Sequence, residues 1–102
     1  MIPGQFQDKA RQASVLLKAM SNEHRLMVLC QLLEGEKSVG ELEKIVGLSQ
    51  SALSQHLARL RHDGFVRTRR SAQTIFYSLN GDEAPAVICT LFKLYCSDKT
   101  PM

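Results

Sequence analysis

At 102 residues, with 44% hydrophobic and 23% charged side chains, the chain has the make-up of a single soluble globular domain spanning 1–102. No apolar run reaches the roughly 18–20 residues that cross a bilayer, and residues 1–9 lack a basic stretch followed by an apolar one, so neither a membrane span nor a secretory signal is expected. The net charge of +3 is unevenly spread: residues 49–80 hold five arginines against Asp63 alone, whereas residues 34–48 hold four glutamates against two lysines. That basic excess suits a polyanionic partner, although a solvated basic face has the same composition.

In chain order, Ala13, Leu16, Leu17 and Met20 form an apolar stripe that predicts a helix over 8–20. Ser21 is the expected cap of a second helix over 22–34, with Leu26, Leu29 and Leu33 inward and Gly35 beyond its end. Ser38-Val39-Gly40-Glu41 has capping-box spacing and opens a third helix that ends near Val46, with Gly47 as its left-handed stop. Ser49 caps a fourth helix over 50–63, ended by Gly64. Alternating residues over 65–70 and a β-branched, aromatic run over 74–79 predict a hairpin with Ser71-Ala72-Gln73 as its loop. Asn80-Gly81 breaks the strand, and Asp82 is the expected cap of a last helix reaching Tyr95 or Cys96. The fold expected is mostly α with a small β-hairpin, in the order α-α-α-α-β-β-α, with a possible short strand at Ser38–Val39. This is a winged helix-turn-helix, with its reading helix over about 50–63 and its wing over about 65–79.

On a helical wheel, Leu53, Leu57 and Leu60 share one side of the fourth helix, while Ser51, Gln55, Arg59 and His62 lie opposite. Ala52 and Ala58 flank that polar side and let the backbone approach base edges closely. Serine and glutamine can donate and accept toward bases, and arginine favours guanine or phosphate. Ser49, Gln50, Ser51 and Ser54 cluster at the helix start, where first-turn amides suit a phosphate. The expected DNA-contacting set on this helix is Ser49, Gln50, Ser51, Ser54, Gln55, His56 and Arg59. In the wing it is Arg67, Arg69, Arg70 and Gln73, aimed at phosphates or a minor groove. Charged wing residues also protect a sheet edge from aggregation. One reading helix gives little specificity, so a homodimer is expected, joined by Ala13, Leu16 and Leu17 at one end and Val87, Ile88, Leu91, Phe92 and Tyr95 at the other.

These motifs carry a resemblance. L-L-K-A-M-S-N-E-H-R-L (16–26), S-V-G-E-L (38–42), L-S-Q-S-A-L-S-Q-H-L-A-R-L-R (48–61), G-F-V (64–66) and I-F-Y-S-L (75–79) make the chain similar to the ArsR/SmtB-type winged-helix repressors over nearly its whole length. Within that family, L-C-Q-L-L at Cys30 and L-Y-C at Cys96 resemble the dithiol, redox- and sulfide-responsive branch of the biofilm growth-associated repressor and the HlyU-type regulators. The resemblance implies a dimer on an inverted-repeat promoter operator in double-stranded DNA. It also implies a Cys30–Cys96 dithiol whose oxidation, or bridging by persulfide or polysulfide, changes affinity, with reactive sulfur or oxygen species as inducers. The metal-sensing members' Cys-x-Cys on the third helix, or Asp and His on the last, do not occur here, so no metal or other cofactor is expected.

Cys89 departs from the two-cysteine pattern. Cys89 and Cys96 are seven apart, about 10 Å along a helix axis, beyond the ~7 Å Cα limit for a disulfide. Each can meet only Cys30 or a cysteine of another chain. Free cysteine also serves as a small buried hydrophobe. Three widely spaced cysteines are not the framework of a secreted domain, which places the chain in a reducing cytoplasm. The competing readings are a winged-helix regulator with purely structural cysteines and a protein-interaction module that does not bind DNA. No catalytic residue is expected, since there is no Cys-x-x-Cys, phosphate loop or nucleophile–base pair.

Overall fold

The computed structural model describes residues 3–96. In that span five helices and three strands follow in the order α1 (Pro3–Met20), α2 (Glu23–Leu32), β1 (Lys37–Ser38), α3 (Val39–Val46), α4 (Gln50–His62), β2 (Val66–Ser71), β3 (Thr74–Leu79) and α5 (Glu83–Tyr95). The first helix begins five residues earlier than the apolar stripe predicts. A proline at the first helical position has its φ preset and loses no needed donor.

The cap of α2 is Asn22, not Ser21. Its Oδ1 accepts from the amides of His24 (2.9 Å) and Arg25 (3.1 Å), while Ser21 sits in the tight turn that leaves α1, its amide donating to the Lys18 carbonyl. The end of α2 tightens over Leu33, Glu34 and Gly35, whose amides donate three residues back, so the helix stops at Leu32. The capping box of α3 is complete, with the Glu41 amide on Ser38 Oγ (3.1 Å) and the Ser38 amide on Glu41 Oε1 (2.8 Å). Because Ser38 is that cap, Val39 is already helical, and the short strand is Lys37–Ser38.

Gly47 ends α3 at φ 78°, a region that a Cβ disfavours. At the far end of α4, Gly64 (φ 83°) makes a Schellman closure. The Gly64 amide donates to Arg61 and that of Phe65 to Leu60, each at 3.0 Å. Phe65 is spent on this closure, so β2 starts at Val66. Asp82 occupies the cap position of α5 but makes no side-chain capping bond there.

The sheet is antiparallel in the order β1-β3-β2. Arg69 faces Phe76 and Ser71 faces Thr74, which leaves a two-residue turn at Ala72-Gln73 instead of a three-residue loop. Ala72 takes φ 56°, the left-handed position that such turns usually give to glycine.

One core joins all five helices and the wing. Val28, Leu29 and Leu32 of α2, Leu42 of α3, Leu53, Leu57 and Leu60 of α4, Val66 of β2, and Ala84 and Ile88 of α5 are buried together with Ala19 and Met20. Ile88, expected at a dimer interface, is therefore part of this core, and Leu16, Val87 and Leu91 pack against it. Leu17 (60% exposed), Phe92 (57%) and Tyr95 (78%) stay open. The radius of gyration, 15.0 Å, exceeds the ~13 Å of a rounded domain this size, and the body is only 21 Å thick.

The three buried leucines hold α4 in one rotation. Leu57→Ala should cost about 2–5 kcal/mol and lower the urea midpoint without changing its slope; a midpoint like that of the unmodified chain would mean the helix is not seated by this face.

Candidate nucleic-acid interface

With Leu53, Leu57 and Leu60 inward, Gln50, Ser51, Ser54, Gln55 and Arg59 are exposed on α4. Ser49 is exposed at the cap, its Oγ accepting from the Ala52 amide at 3.3 Å and lying 3.5 Å from Ser51 Oγ. Serine hydroxyls and two amide side chains therefore crowd the first two turns, where first-turn backbone amides also point outward.

Arg59 of the expected set is engaged within the protein. Arg59 Nε donates to Asp63 Oδ2 at 3.0 Å, one turn on, and His62 Nδ1 lies 3.3 Å from the other carboxylate oxygen. Burial pushes the Asp63 carboxyl up, but hydrogen bonds from Arg59 and His62 outweigh it and hold it below the usual range.

His56 falls on the inward side and is half-buried. Its Nδ1 is 3.3 Å from Arg25 Nη1, and its ring is 5.7 Å from that of His24. Arg25 also donates from Nε to the Ala19 carbonyl (2.6 Å) and from Nη2 to the Lys18 carbonyl (3.2 Å). It thus ties the C-terminal end of α1 to α4, a positioning role that no periodicity in the sequence marks. Arg61 is a further exposed arginine on α4, outside the expected set although its charge was visible.

In the wing Arg67, Arg70 and Gln73 are exposed. Arg69 differs. Its Nε and Nη2 donate to Glu36 Oε2 (2.9 Å) and Oε1 (2.7 Å), and its guanidinium carbon is 4.7 Å from the centre of the Phe76 ring. The arginine alternation is real, yet only Arg67 and Arg70 present their heads without an ion pair among the described residues.

All three cysteines are free thiols. Cys30 on α2 is half-buried, and Cys96, just past α5, is exposed. Both line one cleft of about 630 Å³, walled by Leu26, Met27, Leu91, Phe92 and Tyr95. Cys89 is exposed and does not line it. Among the described residues no group of three or more His, Cys, Asp or Glu is placed to hold a metal ion, and no helix is long and apolar enough to cross a membrane.

Residues 22–68, from the cap of α2 to the middle of β2, match the family described as "Bacterial regulatory protein, arsR family". The transcriptional activator HlyU of Vibrio cholerae is 56% identical over 92 residues, covering 90% of this chain and 85% of that protein. The chain belongs to the ArsR family. A structure described as reduced HlyU from Vibrio cholerae superposes with a TM-score of 0.85 at 56% identity, covering 90% of this chain and 97% of that one. The transcriptional repressor BigR from Xylella fastidiosa gives a TM-score of 0.88 at 42% identity, over 94% and 98%. The chain is accordingly a winged-helix, DNA-binding transcriptional regulator and not an enzyme. These two relatives carry opposite signs, activator and repressor, on one fold.

The His56 contact has a pH consequence. Burial, then the Arg25 charge, then His24 hold the His56 imidazole below its usual value near 6.5. The folded state therefore favours neutral His56, and that advantage is complete above about pH 6.5 and lost as pH falls below it. The melting temperature should drop between about pH 7 and pH 5, and His56→Gln should flatten that window. An equal drop in the His56→Gln variant would assign the effect to other groups.

Proposed function

We propose that the chain acts as a homodimer in the cytoplasm. It places its two α4 helices in successive major grooves of an inverted-repeat promoter operator and is switched by a Cys30–Cys96 dithiol. The observation that carries the proposal is the split surface of α4, leucine-lined inside and serine- and glutamine-lined outside, on a body whose first and last helices leave apolar side chains unburied. Leu17 on α1 and Phe92 and Tyr95 on α5 are the unburied side chains, and a second copy is the partner that gives two reading helices with half-site spacing near 34 Å.

On α4, Ser51, Ser54 and Gln55 face bases, Ser49 and Gln50 face the phosphate beside the helix start, and Arg59 faces a guanine or phosphate further along the helix. Arg67, Arg70 and Gln73 extend the contact from the wing. Occupancy of a promoter represses when it blocks polymerase and activates when it displaces another silencer, so one binding chemistry serves both signs carried by the relatives.

The switch reading rests on the shared cleft, which favours Cys30 and Cys96 over any pairing with Cys89. The family resemblance and the existence of a relative described by its reduced state point the same way. A peroxide converts one thiolate to a sulfenic acid with release of water or an alcohol, and the second thiol then condenses with it, losing a second water. A polysulfide instead is attacked by one thiolate and then by the other, each attack breaking one S–S bond and expelling sulfide or a shorter polysulfide, which leaves bridging sulfur between the two Sγ atoms. Either product ties α2 to the end of α5. Because α2 packs on α4 and α5 carries the unburied Phe92 and Tyr95, the tie changes the separation of the reading helices and weakens operator binding.

Titration of a palindromic promoter fragment at several salt concentrations tests both parts. Reduced protein should lose affinity linearly in log salt, with a slope of about −0.9 per phosphate contacted. Gln55→Ala should cost about 1–3 kcal/mol on the operator and much less on unrelated duplex. Oxidised or polysulfide-treated protein should bind more weakly, and Cys30→Ser and Cys96→Ser should abolish that response while Cys89→Ser keeps it. A response that survives Cys30→Ser and is lost in Cys89→Ser would overturn the pairing.

A further inference from the structure

Arginine is the natural phosphate ligand of a wing, but Arg69 is held in three ways by its own protein. Glu36 takes two of its donors in a forked ion pair, an arrangement that fixes both distance and plane. The guanidinium lies against the Phe76 ring, an attraction between a cation and the negative face of the ring. Phe76 is the direct partner of Arg69 across β2 and β3 and also of Ser38 across β1 and β3. Glu36 immediately precedes β1, so the pair reaches from one edge of the sheet, across β3, to the other. It closes a clamp over all three strands, and Ser38, on the edge strand β1, is the cap of α3, the helix that leads into α4.

We infer that Glu36 is a positioning residue for the wing: it keeps Arg69 as an internal strut and off the DNA, and by doing so makes binding selective. This rests on the reading of the wing as a DNA-facing element and adds a residue to which neither the family match nor the base-contacting set assigns a role. The pair is substantially exposed, with side chains 55% and 35% accessible for Arg69 and Glu36, so solvent screens it and it adds little to folding. Its effect is on geometry and charge. The hydrogen bonds hold the Glu36 carboxyl below its usual range, so the strut stays charged at neutral pH. One of three wing arginines is thereby neutralised. That lowers attraction for arbitrary phosphate and leaves Arg67 and Arg70 on strands of fixed tilt.

The test is a set of salt titrations of operator and unrelated duplex with the full chain. Glu36→Gln should raise affinity for unrelated duplex several-fold and steepen its log–log salt slope by about 0.9, the signature of one added phosphate contact. The ratio of operator to unrelated affinity should fall several-fold. Glu36→Asp should retain most of that ratio. Arg69→Ala alone should leave the salt slope of the unmodified protein unchanged, and in the Glu36→Gln background it should remove the added slope. Thermal melts of each variant should lie close to that of the unmodified chain.

A salt slope that becomes shallower by about 0.9 in Arg69→Ala alone, with Glu36 intact, would make Arg69 a phosphate ligand and overturn the strut. An unchanged selectivity ratio in Glu36→Gln would overturn it equally. Unmodified protein without salt-dependent duplex binding would overturn the DNA-facing reading of the wing itself, a failure distinct from either.

Discussion

Burial of Leu53, Leu57 and Leu60 in one core with Leu29 and Leu42 is the constraint on which the rest of this protein depends. A helix of 13 residues is marginal in isolation, so α4 acquires its stability from the partners of those three leucines. Their spacing leaves one rotation about the helix axis that hides all of them. The same rotation sets Ser51, Ser54 and Gln55 outward, with no side chain needed to hold them there. Packing and recognition are thus two faces of one choice. Ser49 at one end and the Gly64 closure at the other fix where the helix begins and stops, and therefore which residues lie nearest a groove.

The surroundings of α4 are braced by ion pairs and hydrogen bonds between distant residues. Arg25 reaches from α2 to the last carbonyls of α1 and to His56 of α4. Glu36 reaches from the loop after α2 to Arg69 in the wing. Both braces start in or beside α2, which packs against α1, α3, α4, α5 and β3. Cys30 sits on that same helix. A covalent link from Cys30 to the end of α5 would act on the element through which the reading helix and the wing are both positioned, which gives a thiol switch a short mechanical route to the DNA-facing surface.

Much of this was legible in the residues. The leucine spacing of α4, the capping box at Ser38 and Glu41, Ser49, and the stops at Gly47 and Gly64 are local signals, and each is realised in the fold. The misses have local causes too. Asn22 and Ser21 are both good caps, and only the geometry of the preceding turn decides between them. Val39 and Phe65 read as strand residues by composition, but a helix start and a Schellman closure claim them first. The early start of α1 had no apolar periodicity to mark it, and Ile88 looked like interface although α5 packs it into the core against α2.

The candidate site was less legible because its distinctions are tertiary. Arg67, Arg69 and Arg70 are alike in sequence, and only Glu36, 33 residues away, separates them. His56 lies in a polar-looking helix, yet its ring turns toward Arg25. Cys89 lies on α5 and Cys96 just past its end, and the cleft shared with Cys30 is what tells them apart.

Methylation protection of guanine N7 atoms on a palindromic operator tests the central claim most directly, because those atoms lie in the major groove. If the outward face of α4 reads DNA from a two-fold dimer, protected guanines should fall in two clusters about 10 base pairs apart on one face of the duplex, and Gln55→Ala should thin both clusters together. Guanine N7 atoms left unprotected on a bound operator, or clusters on opposite faces, would contradict the account.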